Sequence, residues 1–115
     1  MKRKISLYIN DILKSIKLII DFTDNLDFND FANDEKTQLA VIKCLETIGE
    51  AVKQIPESIL RKYTDIPWKD IAGMRDRLVH FYFGVDLEIV WETVKTEIPP
   101  LLPLFEKMKL ELSGE

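Results

Sequence analysis

From Lys2 to Phe22 the apolar residues Ile5, Tyr8, Ile9, Ile12, Leu13, Ile16, Ile19 and Ile20 recur at spacings of three and four. That period places them on one wide stripe of an α-helix, and such a stripe must be buried against other helices. No strand-like alternation persists anywhere else in the sequence, so the class is all-α. Thr23-Asp24-Asn25-Leu26-Asp27 ends the first helix. Phe28 and Phe31 follow and are expected to cover one end of the core. Asn33 or Asp34 can cap a second helix, because short polar side chains accept from the free N–H groups there. This helix is predicted over Glu35 to Ile55, with Leu39, Ile42, Leu45, Ile48 and Val52 inward. Gly49 inside it costs about 1 kcal/mol relative to alanine, which suggests the close approach of another helix. Pro56 breaks the chain and residues 57–63 read as a short helical turn.

A third helix is predicted to start at Asp65-Ile66-Pro67-Trp68, with Pro67 in the first turn where its missing N–H is harmless, and to run to about Phe83. Gly84 suits the residue after a helix end. Asp86 caps a fourth helix containing Leu87, Ile89, Val90, Trp91 and Val94. Pro99, Pro100 and Pro103 are expected to interrupt it, with a last helical segment from Leu104 to Leu112. The sum is a four- to five-helix up-down bundle. At 115 residues with 46% hydrophobic content, residues 1–115 are read as a single domain.

Composition narrows the function. Sixteen Lys and Arg against twenty Asp and Glu give a net charge of -4, so a globally cationic coat for nucleic acid is excluded and any such contact is local. The single cysteine, Cys44, and the single histidine, His80, cannot form a disulfide or a Cys/His zinc site, so no metal and no cofactor are expected. No glycine-rich phosphate loop, serine elbow or His-Glu-x-x-His pair is present. Carboxylate neighbours such as Asp34-Glu35 read as helix starts. The basic Met1-Lys2-Arg3-Lys4 is followed by apolar residues interrupted at Ser6, Asn10, Asp11, Lys14 and Lys17, and no run approaches a membrane span. The reading is a soluble, cytoplasmic protein.

The stretch Gly73-Met74-Arg75-Asp76-Arg77-Leu78-Val79-His80-Phe81-Tyr82-Phe83-Gly84 concentrates the chemistry. Cleaving a phosphodiester without metal takes a base, an acid and a cation on the phosphate. Histidine titrates in the right range and arginine grips phosphate in a bidentate way. Asp76 stands four residues before His80 and can orient it. On a helix, Arg75 and Tyr82 are about 700° apart and share a face, whereas Arg75 and His80 differ by about 140°. Either the helix loosens near Gly84 or a second chain completes the site. From composition and spacing alone, surface arginines and a histidine at a helix end explain the segment better than a catalytic site does.

Arg75-(four residues)-His80-x-Tyr82 resembles the arginine–histidine motif of the HEPN superfamily. With Glu46-Thr47-Ile48-Gly49-Glu50-Ala51, Ile66-Pro67-Trp68, Tyr82-Phe83-Gly84-Val85-Asp86 and Trp91, the chain is similar to the HepT-like toxins, which are encoded beside a small nucleotidyltransferase antitoxin called MntA. Asp76 stands where asparagine is more usual. The resemblance implies a helical homodimer and a metal-independent RNA endonuclease of a type VII toxin–antitoxin pair. It makes Arg75 and His80 catalytic and Tyr82 the acceptor of AMP from the antitoxin; in the mechanism this suggests, Asp76 and Arg77 are supporting or RNA-positioning residues. The alternative is a non-catalytic subunit that binds nucleotide or serves as the substrate-recognition partner of the nucleotidyltransferase.

Overall fold

The computed structural model describes residues 4–78 and 86–113, without the side chains of Arg75, Leu78 and Ser113. Among them the helices are α1 (Ile5–Thr23), α2 (Phe28–Ala32), α3 (Glu35–Lys53), α4 (Glu57–Leu60), α5 (Trp68–Ala72), α6 (Met74–Leu78), α7 (Leu87–Glu92) and α8 (Leu101–Ser113), with a π-helical turn at Thr93–Glu97 between the last two. Counting α5 with α6 and α7 with the π turn, the large described elements number five, within the four- to five-helix bundle that the sequence predicts.

The long helices α1 and α3 pack against each other, and α8 packs on α1. The start of α1 lies beside the end of α3, since Tyr8 and Gln54 line one groove, so the pair is antiparallel. Ile9, Ile12, Ile16 and Ile19 of α1, Val41, Leu45 and Ile48 of α3, and Phe105 and Met108 of α8 are almost wholly buried and form the core. Phe31 on α2 closes one end, against the Trp91 ring at 5.2 Å.

The caps follow local chemistry. Asn25 turns the chain after α1 with φ 64, a left-handed conformation that asparagine tolerates. Asp27 and Asp30 cap α2 reciprocally, the Asp30 N–H donating to Asp27 Oδ1 at 2.7 Å. Asp34 caps α3, accepting from the Thr37 hydroxyl at 2.6 Å and its N–H at 3.1 Å. These bonds hold the Asp34 carboxyl below the usual carboxylate range. Asp86 accepts from the N–H groups of Glu88 and Ile89 at the start of α7.

Four details differ from the sequence reading. Leu39 is 61% exposed rather than inward and Ile42 is half-buried, because the buried stripe of α3 runs instead through Val41, Cys44, Leu45, Ile48 and Val52. The third helix is divided at Gly73 into α5 and α6, where glycine is a weak helix former. Pro103 does not interrupt a helix: α8 begins at Leu101 and takes Pro103 into its first turn, where N–H groups have no helical partner anyway. The fourth helix widens into the π turn, with the Ile98 N–H donating to the Thr93 carbonyl at 3.0 Å. The wider turn keeps Val90, Val94 and Ile98, spaced by four, on the buried side.

Gly49 sits where α3 meets α5, as its place in the helix suggests. A Cβ there would lie 3.5 Å from the Ile71 carbonyl oxygen, an ordinary contact. Gly49→Ala is therefore expected to raise stability by up to about 1 kcal/mol through helix propensity alone. Urea unfolding of the two proteins checks this; a loss of stability would show that the helices need the extra space.

Candidate active site

The segment leading to the motif is anchored residue by residue. Ile66 is buried and Pro67 precedes the first residue of α5. The Trp68 indole N–H donates to the Tyr63 carbonyl at 3.0 Å, and its ring stands edge-on to Phe105 at 5.7 Å. Ile71 and then Met74 are buried one turn apart on the same side. The Ile-Pro-Trp block is thus a structural clamp that fixes the start of the motif helix against the bundle.

The backbone of Arg75, Asp76 and Arg77 lies on α6. Asp76, roughly 200° around the axis from buried Met74, is exposed to solvent. Arg77 is exposed as well, and its guanidinium reaches two acceptors: the Asp70 carbonyl oxygen at 3.5 Å and Glu97 Oε1 at 3.6 Å. The Arg75 side chain, and His80, Tyr82 and Gly84 entirely, lie outside the described residues. What the structure brings together is therefore the base of the motif: α5, α6, Arg77 and Glu97. Glu97 had no signal in the sequence, being twenty residues from Arg77 and delivered by a π turn.

Trp91 is part of the architecture, with its ring against Phe28 and Phe31. Lys95 on the π turn lies over that ring at 4.8 Å and donates to the Thr23 carbonyl at 2.9 Å, closing the end of α1. Cys44 is buried, and burial pushes its thiol pKa up, away from nucleophilic use. No group of three or more His, Cys, Asp or Glu side chains able to hold a metal ion occurs among the described residues. No described helix is long and apolar enough to cross a membrane.

Two surface grooves differ in charge. One of 420 Å³ between α1 and α3 sets Asp11, Glu46 and Glu50 against Lys43, and this balance repels phosphate. Another of 390 Å³, on α1 and α8, gathers Lys14, Lys17 and Lys109 beside Asp21. It is the kind of local positive surface that a chain of net charge -4 needs to attract a polyanion.

Among the described residues the bundle is all-helical, and the backbone of Arg75 to Leu78, the first part of the arginine–histidine stretch, lies on the short helix α6. The ribonuclease HepT-like family profile matches residues 12–108, and the chain belongs to that family. It is 49% identical over 114 residues to "Putative RNase MJ1216" of Methanocaldococcus jannaschii, spanning 99% of this chain and 94% of that one. It is 50% identical over 109 residues to "Probable ribonuclease HepT" of Thermococcus cleftensis, spanning 95% of this chain and 99% of that one. A third relative, "Gamma-glutamylcyclotransferase and putative RNase MJ0434" of M. jannaschii, is 45% identical over 112 residues, which are 97% of this chain and 50% of that longer one. No solved structure matches the chain.

Proposed function

We propose that this chain is a cytoplasmic, metal-independent RNA endonuclease and the toxic half of a toxin–antitoxin pair. The observation that carries the reading is the family match over residues 12–108, a span that includes Arg75, His80 and Tyr82. The chain acts as one domain over residues 1–115; the alignment of nearly all of it with half of a longer relative supports that unit. It works as a homodimer, in which the second copy supplies what the angular offset between Arg75 and His80 leaves unmet.

In the reaction, the 2′-hydroxyl of one nucleotide attacks the neighbouring phosphorus and the bond to the 5′-oxygen of the next nucleotide breaks. His80 takes the hydroxyl proton or returns one to the leaving oxygen, and the partner's His80 fills the complementary role. Arg75 stabilises the charge that builds on the phosphorane oxygens. Asp76 orients the imidazole and Arg77 holds a neighbouring phosphate.

Control runs through Tyr82. Its hydroxyl oxygen attacks the α-phosphorus of ATP on the cognate nucleotidyltransferase, pyrophosphate leaves, and the phenolic proton passes to a base of that enzyme. Activation must come from there, because a phenol with a pKa of about 10 is a poor nucleophile unaided. The added AMP places a negative phosphate and a bulky nucleoside where RNA binds. Co-expression with the nucleotidyltransferase, followed by intact-mass and peptide analysis, is expected to find AMP on Tyr82 and a protein that no longer cleaves RNA. AMP on Tyr8 or Tyr63, or on no tyrosine, would overturn this control. RNA that stays intact with the purified unmodified protein would favour the non-catalytic alternative.

A further inference from the structure

Arg77 stands between its own protein and any polyanion that approaches α6. Its guanidinium is 3.6 Å from Glu97 Oε1 and 3.5 Å from the Asp70 carbonyl, and the two charged side chains are 46% and 43% exposed. An ion pair this wet shifts an equilibrium by only about 1.5- to 5-fold, so a phosphate can displace the carboxylate. The two ends are unequal in freedom. Glu97 closes the π turn, which is pinned on both sides: Lys95 is bonded to the Thr23 carbonyl at 2.9 Å and Ile98 is fully buried. Arg77 is a long, flexible side chain on a five-residue helix. When a phosphate competes, the arginine moves and the glutamate stays.

We infer that Glu97 is a positioning residue that sets the affinity of the site for RNA by competing with the substrate phosphate for Arg77. The inference rests on the ribonuclease reading above. While Arg77 is paired with Glu97, α6 presents little net charge, and RNA is bound only by giving up that pair. The guanidinium exchanges one carboxylate for the bidentate grip of a phosphate, so binding weakens and product release is eased. Glu97 thus affects KM, whereas the groups that meet the reacting phosphate affect kcat.

The test is a double-mutant cycle on the full chain. Binding of a short fluorescent single-stranded RNA is measured in the His80→Ala background over a range of salt, and KM and kcat are measured with His80 intact. Glu97→Gln is expected to tighten binding and lower KM about two- to fivefold, with kcat changed less than twofold. Arg77→Ala is expected to weaken binding and to reduce the slope of log affinity against log salt by about 0.7. In the Arg77→Ala background, Glu97→Gln is expected to have no further effect. Equal tightening with and without Arg77 would mean that Glu97 acts only as a distant charge, and would overturn the inference. So would an unchanged KM in Glu97→Gln. Failure of the wild-type protein to cleave or bind RNA would instead remove the ribonuclease reading, and this inference with it.

Discussion

Replacing His80 with alanine is expected to slow RNA cleavage by about 10²–10⁴-fold, the usual loss when a positioned acid–base group is removed. The chain has one histidine, so no other imidazole can substitute. Arg75→Ala is expected to fall in the same range, because the phosphorane charge loses its cation. Both proteins are expected to keep the far-UV circular dichroism and unfolding midpoint of the wild type, as a loss confined to the chemical step requires. Cleavage by the wild type should persist in excess chelator. Purified His80→Ala protein that cuts RNA at the wild-type rate would end the proposed mechanism, and loss of wild-type activity in chelator would point to a metal step. Toxicity in cells lacking the antitoxin should follow the same pattern, with growth restored by either substitution.

The fold was legible where one signal stood alone. The isoleucine stripe of α1 has a single phase, and its inner residues are buried as read. Asp34 and Asp86 cap helices because carboxylates beside helix starts have free N–H groups to accept from. Legibility failed where several phases fit. The first half of α3 carries Leu39, Ala40, Val41, Ile42, Cys44 and Leu45, apolar almost all round, so periodicity cannot say which side turns inward. Packing against α1 and α5 decides it, and Leu39 is left outside. Pro103 misled because a proline ends a helix from within but opens one from its first turn.

The site divides in the same way. Arg75, His80 and Tyr82 could be singled out from one short stretch, but spacing gave them no chemistry beyond that of an ordinary charged helix. The roles proposed for them rest on the resemblance to the family motif. The Arg77–Glu97 pair had no local trace, because its geometry depends on a π turn far along the chain.

Phe105→Ala is expected to destabilise the protein by about 3–5 kcal/mol, through lost transfer energy and the cavity left behind. Phe105 is fully buried among the helices of the core. Small domains have about 5–15 kcal/mol of stability in total, so the variant stands close to unfolding at 37 °C. The same ring supports Trp68, which meets it edge-on at 5.7 Å and opens α5. Removing it therefore loosens the clamp that sets α6 and the motif, in addition to weakening the core. RNA cleavage should fall even at temperatures where circular dichroism still reports a folded bundle. Phe105→Leu, which refills most of the space, should recover most of both losses. The outcome is opposite in kind to that of His80→Ala, where rate is lost and stability is kept. Urea unfolding and cleavage assays on the same preparations decide the matter. A Phe105→Ala protein with a wild-type unfolding midpoint would show that the ring is not part of the core, and wild-type activity in a folded but destabilised variant would show that α5 and α6 do not depend on it.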